Sequence, residues 1–251
     1  MGRQQKHNFF CLRKSDVIIP VYNSAAILPV LIEKIADSLS NISNEYKIIL
    51  VDDGSKDNSW SEIKNLKNKY NFILGIKLDK NYGQHQAIRA GLEHANAEWN
   101  FVMDCDLQDN PKYLIDLYKK AIADNVEVVL ADRQAKTGRI YYKVSSWLIN
   151  AKLSVLLKKK INYRTANFGI YSNVVISKIC SLPYKHFYFP VAVRKCTDSI
   201  SEFKVMHNDR FAGKSNYNFF RLIALALHAI LFVFQTGDKG KPSFHILEMV
   251  E

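Results

Sequence analysis

The chain's 251 residues, 48% of them hydrophobic, suffice for one large domain or two small ones with a packed core, and they exclude a disordered tail. Lys and Arg number 35 against 24 Asp and Glu, and the resulting charge of +11 points to a polyanionic partner: nucleic acid, an acidic membrane or a phosphorylated substrate. Cys11, Cys105, Cys180 and Cys196 stand far apart with no C-x-x-C pair, which argues against a zinc knuckle or a dense disulfide framework and fits a reducing cytosol.

Residues 1–14 are polar and basic without the apolar centre of a signal peptide, so export is not expected. Val17-Ile18-Ile19 then reads as a buried strand, 27–39 as a helix, 47–51 as a strand, 59–70 as a helix and 72–78 as a strand. The pattern repeats with a helix over 84–95, a strand over 99–103, a helix over 111–123 and a strand over 126–131. Repeated β-α-β units predict an α/β fold with a Rossmann-like, mostly parallel sheet flanked by helices. Beyond Arg139 a long amphipathic helix is expected through about residue 157, followed by irregular aromatic segments over 167–189. The last clear element spans 219–234, where 222–234 holds twelve apolar residues interrupted only by His228. That is short of the ~20 apolar residues a bilayer-spanning helix needs, so the segment is either a core helix or an interfacial one. The polar stretch after Thr236 is expected to be a loose tail.

Charge is divided along the chain. From 133 to 164 there are nine Lys or Arg and no acid, and the first acid after Asp132 is Asp198. Acids instead follow the early strands: Asp52-Asp53-Gly54-Ser55 after the second, and Asp104-Cys105-Asp106-Leu107-Gln108-Asp109 after the fourth. Ligands of open α/β sheets bind at the carboxyl ends of the strands. If strand alternation continues through 104–106, Asp104 and Asp106 project to one side and Cys105 to the other, a pairing that suits a shared Mg²⁺ or Mn²⁺ beside a diphosphate. Asp52-Asp53-Gly54-Ser55 is also an ordinary turn and helix cap, which is compatible with a binding role.

Two common motifs are absent. No G-x-G-x-x-G follows the first strand, which disfavours a dinucleotide cofactor. Gly213-Lys214-Ser215 resembles the end of a phosphate-binding P-loop, but position 208 is Asn208 rather than the required glycine. His85, His94, His186 and His207 have no metal-ligand spacing and read as structural or solvated; His85 alone sits in a block, Gly83-Gln84-His85-Gln86, where a helix N-terminus could face a ligand from behind the contacting residues.

Four ordered blocks, VIIPVYNS (17–24), VDDGSKDNS (51–59), NYGQHQAIRAG (81–91) and MDCDLQDNP (103–111), are similar to family 2 glycosyltransferases of GT-A fold. RFAGKSNY (210–217) resembles the R-x-x-G-x-S-x-Y signature of the branch containing dolichol-phosphate mannose synthases and bacterial polyprenyl-phosphate glycosyltransferases. The resemblance covers roughly 16–234. It implies a domain division into a flexible basic N-terminus (1–15), a catalytic domain (16–218), an apolar helix (219–236) forming a membrane-proximal acceptor region, and a tail (237–251). It further implies that Pro20, Tyr22, Asn23, Asp52 and Asp53 hold the nucleotide and that Asp104 contacts ribose or sugar. Asp106 and Gln108 would ligate Mg²⁺ or Mn²⁺, Arg133 and Arg210 would engage phosphates, and Gly213, Lys214, Ser215 and Tyr217 would form a loop over the diphosphate. Asn167 departs from the acid that the branch often carries before Phe168.

The expected activity is metal-dependent, inverting transfer from a UDP-, GDP- or dTDP-sugar to polyprenyl phosphate or a lipid-linked glycan, at the cytoplasmic face of an anionic bacterial plasma membrane. A phosphate acceptor needs no catalytic base, and 133–197 supplies no acid to act as one. The rival is transfer to a sugar hydroxyl during assembly of a surface polysaccharide such as capsule or O-antigen. An inactive transferase-like chain ranks lower. A nucleic-acid-binding protein ranks lower too, since no recognisable binding motif accompanies the charge.

Overall fold

The computed structural model describes residues 12–40, 43–135, 152–159, 161–162, 164–207, 219–237 and 239–251. Strand β1 (Leu12–Val21) shows why the fold has three layers. Val17, Ile19 and Val21 pack on one side of the sheet and Ile18 on the other, all fully buried. Strand β2 (Ser43–Asp52) repeats the division, with Ile48 and Leu50 on the first side and Ile49 and Val51 on the second. A strand buried on both faces must be continuously apolar, which is the pattern the sequence presents. Helices α1 (Leu28–Leu39), α2 (Ser59–Lys69) and α4 (Tyr113–Asp124) cover the first face. Helices α3 (Gln84–Leu92), α5 (Asn173–Ser181), α6 (Phe189–Cys196) and α7 (Phe219–Phe234) cover the second.

The remaining strands are β3 (Ile73–Leu78), β4 (Trp99–Val102), β5 (Val128–Ala135), β6 (Thr165–Ser172), β7 (Ile200–His207) and β8 (Ile246–Val250). The eight strands run in the order β7-β5-β6-β4-β1-β2-β3-β8. β1 pairs in parallel with β2 and β4, β2 with β3, and β5 with β7, whereas β6 is antiparallel to both β4 and β5. Two reversals restore the direction, so β1 to β5 and β7 all end at the same edge.

The structure differs from the sequence expectation in three places. Residues 167–189, expected to be irregular, form most of β6, then α5 capped by the Ser172 hydroxyl, which accepts from Val175 N at 3.4 Å. The expected loose tail contains β8, which closes the sheet antiparallel to β3; Trp60 Nε1 donates to Glu248 Oε2 at 2.8 Å and fastens that strand to α2. Of the helix expected over 139–157, only 152–157 lies among the described residues and is helical.

Helix α7 packs one side into the core and exposes the other. Ala229 and Phe232 are buried in the second-face core, while Leu227, Leu231 and Phe234 are 54%, 49% and 65% exposed. These three recur at i, i+4 and i+7, so they form one outward ridge. Lys195 Nζ donates to the carbonyls of Phe232, Val233 and Gln235 at 3.1–3.3 Å, neutralising the negative end of the helix. Among the described residues no helix is long and apolar enough to cross a membrane.

Close approach of α3 to β1 depends on Gly91, where an added Cβ would lie 2.6 Å from Ile18 Cγ2 and 3.1 Å from Val51 Cγ2. Both neighbours are buried β-branched side chains with little freedom to retreat. Gly91→Ala should therefore destabilise the fold by about 1–3 kcal/mol in urea unfolding, in spite of alanine's better helix propensity. An unchanged midpoint would show that Ile18 can yield.

Candidate active site

The carboxyl edge of the sheet gathers the loops after β1, β2, β4 and β5. Pro20 pairs with Val51 near the end of β1, Val21 is still fully buried, and Tyr22, 38% exposed, follows at the rim. Asn23 adopts φ 50, donates its N–H to Ser55 Oγ at 2.9 Å and accepts from Lys56 N at 2.8 Å, tying the first loop to the second. Asp52 is fully buried; Ser55 N donates to its Oδ1 at 3.2 Å, while Oδ2 has no hydrogen-bond partner among the described residues. Burial raises its pKa, opposed by the hydrogen bonds from Ser55.

Asp53 has a different task. Its two oxygens accept from Tyr82 N at 2.7 Å and Gly83 N at 2.9 Å, so it anchors the loop entering α3. Burial pushes the carboxyl up to about 6 against the pull of those two amides. The neighbouring Gly54 has φ 64, and a Cβ there would fall 2.4 Å from the Lys80 carbonyl carbon. Only glycine accommodates both the conformation and the proximity.

The fourth strand ends at Val102, so Asp104 and Asp106 belong to the turn beyond it, and the expected strand alternation does not place them. Leu107 at φ 58 turns the chain there and is itself buried. Cys105 Sγ lies 3.2 Å from Ser24 Oγ, and burial pushes the thiol pKa up, which keeps it protonated. Asp104 is held from two sides: Gln84 Nε2 at the start of α3 donates to Oδ1, and Arg133 Nη2 on β5 donates to Oδ2 at 3.0 Å. The same guanidinium forks onto Asp109, with Nε to Oδ1 at 3.0 Å and Nη2 to Oδ2. Burial raises the Asp109 pKa and Arg133 pulls it back. Burial works against the Arg133 cation, yet Asp104 and Asp109 together raise its pKa above the ordinary arginine value. Arg133, expected on a phosphate, is therefore engaged with carboxylates.

Asp106 Oδ1 accepts from Gln108 N at 3.2 Å, which shapes the turn. Among the described residues no three His, Cys, Asp or Glu side chains gather as a self-sufficient metal cage. Two carboxylates share the one guanidinium, and Asp106 stands within electrostatic reach of Asp109, which leaves an excess of negative charge built from hard oxygen donors. Such a set fits Mg²⁺ or Mn²⁺, which take one or two carboxylates and complete their shell from phosphate and water. Gln84 and Asp109 were not singled out by sequence reasoning, although both lie inside the quoted blocks. Arg210, Gly213, Lys214, Ser215 and Tyr217 lie outside the described residues. His94 is turned to its own helix, Nδ1 to Ala90 O at 2.9 Å, and His186 packs edge-on against His228 of α7.

Known proteins resemble this arrangement. The undecaprenyl-phosphate 4-deoxy-4-formamido-L-arabinose transferase of Proteus mirabilis is 31% identical over 215 residues, covering 85% of this chain and 66% of its own length. Its counterpart from Photorhabdus laumondii is 30% identical, covering 87% and 67%. The chain thus spans about two thirds of the length of these curated relatives. In three dimensions the chain is similar to glucosyl-3-phosphoglycerate synthase from Mycobacterium tuberculosis, solved with Mn²⁺, UDP and glucosyl-3-phosphoglycerate, at TM-score 0.63 and 16% identity, covering 88% of this chain and 78% of that one. TarS of S. aureus in complex with UDP-GlcNAc superposes at TM-score 0.55 and 18% identity, covering 88% and 67%. These likenesses establish the GT-A fold, and since residues 16–180 match the Glycosyl transferase family 2, the chain belongs to the family 2 glycosyltransferases.

Proposed function

We propose that this chain transfers a sugar, with inversion, from a nucleoside diphosphate sugar to polyprenyl phosphate or a lipid-linked glycan. The placement of the acids carries this reading. None occurs over 133–197, and the next two stand toward the amino end of β7, away from the site: Asp198 pairs with Lys159 at 2.7 Å and Glu202 accepts from Asn162 at 2.7 Å. A hydroxyl acceptor would need a base to take its proton, whereas a phosphate arrives ionised. The curated relatives, which transfer a sugar to undecaprenyl phosphate, support the same choice.

In this mechanism Asp52 Oδ2, a buried acceptor, receives an N–H of the base or a ribose hydroxyl, with Pro20, Tyr22 and Asn23 lining the same rim. Gln84 and Arg133 fix Asp104 against the sugar or ribose without the delay of reorganising it during reaction. When bound, a divalent cation held by Asp106 and Gln108 would neutralise the charge of the departing diphosphate. Arg210, and the 213–217 loop, would close over that diphosphate. A screen of UDP-, GDP- and dTDP-sugars with a short polyprenyl phosphate tests the reading. An acid-labile glycosyl phospholipid should form, EDTA should suppress it, and Asp106→Ala should abolish turnover while leaving the unfolding midpoint in place. An acid-stable glycoside, or full activity in EDTA, overturns it.

Asp53 sets a pH dependence. Below about pH 6 its carboxyl protonates and loses the charge that grips the Tyr82 and Gly83 amides. The kcat/KM profile should fall on the acid side with a midpoint near 6, well above the value of about 4 to which burial pushes His85. Stability carries the opposite sign: a carboxyl raised from 3.8 to about 6 favours folding at low pH and loses that contribution as pH rises through 6. The stability of the parent relative to Asp53→Asn should therefore rise between pH 7 and pH 5 in urea titrations.

The ridge of Leu227, Leu231 and Phe234 supports peripheral contact with an anionic bilayer, because it is apolar and exposed and the neighbouring helix α6 places Lys195 at the end of α7 and carries no acid. Co-sedimentation with vesicles containing phosphatidylglycerol should be measurable at low salt, weaker at high salt, and reduced by Leu231→Glu. No binding at low salt would favour a soluble acceptor.

A further inference from the structure

Resting on that donor assignment, we propose that His85 is a specificity-determining residue that hydrogen-bonds a hydroxyl or amide group of the transferred sugar. The first turn of α3 has no side-chain cap, and its residues Gln84, His85 and Gln86 each reach a different part of the site. Gln84 serves Asp104, and Gln86 Nε2 donates to Tyr184 O at 3.3 Å. His85 stands between them, its ring edge-on to Tyr188 with centroids 4.4 Å apart, and within electrostatic reach of Asp104. Its Nδ1 is shut off from solvent and has no hydrogen-bond partner among the described residues; the same holds for Gln86 Oε1. An unpaired buried polar atom costs about 1–3 kcal/mol, so two in one turn mark a place where the fold gives up stability.

Asp104 does not explain the arrangement, because Gln84 and Arg133 already occupy its two oxygens. The chemistry of the occupant follows from the state of the ring. Burial and the positive end of α3 both disfavour the imidazolium, so His85 meets its partner neutral, with one donor and one acceptor. A neutral imidazole is a weak anchor for phosphate but matches a hydroxyl or amide, which also gives one hydrogen bond and takes one. Tyr188 supplies the opposing wall. It follows the loop that leaves α5, whose end is held by the buried Arg89 guanidinium donating to the carbonyls of Ile179, Cys180 and Leu182 at 2.6–3.1 Å.

The test separates sugar from nucleotide. Calorimetric affinities for UDP and for a panel of UDP-sugars are compared, with Mn²⁺ present, in the parent, His85→Phe and His85→Asn. Phenylalanine keeps the packing on Tyr188 and removes both nitrogens, whereas asparagine places a donor and an acceptor close to Nδ1. UDP should bind all three proteins alike. The gain in affinity from the sugar should fall about tenfold in His85→Phe and be largely retained in His85→Asn. An undiminished gain in His85→Phe, or equal loss in both variants, overturns the role of His85 while the donor reading stands. A parent protein that binds no UDP-sugar excludes a UDP-linked sugar as the donor and overturns the contact argued for His85.

Discussion

The Arg133 fork onto Asp104 and Asp109 makes this sheet edge tolerable. A parallel sheet delivers every strand's carboxyl end to one side, and here that side receives Asp52, Asp53, Asp104, Asp106 and Asp109. Asp109 is fully buried and Arg133 largely so; removing either partner from such a pair costs about 3–5 kcal/mol, because the other is left as an uncompensated buried charge. The pair also holds β5 to the loop after β4 across β6, which lies between those strands in the sheet. The antiparallel strand β6 inserted at that point therefore does not separate the two halves of the site.

A second buried cation performs the corresponding task on the other side of α3. Arg89 has no exposed surface, pairs with Glu93 at 3.2 Å, donates to three carbonyls at the end of α5 and lies against the rings of Tyr184 and Phe187. Lys239 reaches the same Glu93 at 3.3 Å, and the Tyr184 hydroxyl donates to it as well. One helix thus holds Asp104 from its first turn and fastens the 182–188 loop from its last. Phe187 of that loop packs edge-on against Phe232 of α7, so the apolar ridge and the carboxylates are linked through packed side chains rather than through a hinge.

Much of this was legible before any coordinates. Apolar runs at 17–19 and 48–51 identified buried strands, and the acids that follow the second and fourth strands identified the edge that matters. What escaped were features decided by partners distant in sequence. β6 contains Asn167 and Gly169 and lacks a clean alternation; Gly169 is needed because a Cβ there would lie 2.5 Å from Val129 O. β8 follows a Lys- and Gly-rich stretch and becomes a strand because β3 offers an unpaired edge. The orientation of Arg133 could not be read either. Its chemistry allows phosphate or carboxylate, and the choice was made by Asp109, 24 residues earlier, whose burial demands a cation.

The distribution of charge connects these observations. If the excess of basic residues only kept the protein soluble, the acids would have been diluted evenly along the chain. Of the 24 acids 18 lie instead at or before Asp132, five of them at the carboxyl edge, while 133–197 contains none. The acid-free stretch includes α5 and α6; Lys178 of α5 reaches back to Glu127 at 3.9 Å, whereas Lys195 of α6 donates to the carbonyls at the end of α7. An edge rich in carboxylates and a stretch that carries only cations impose opposite electrostatic requirements, and a 251-residue chain segregates them in sequence and joins them through α3 and the 182–188 loop. In the proposed transfer that segregation would have a physical use, since the departing diphosphate and the arriving phosphate would meet regions of opposite charge.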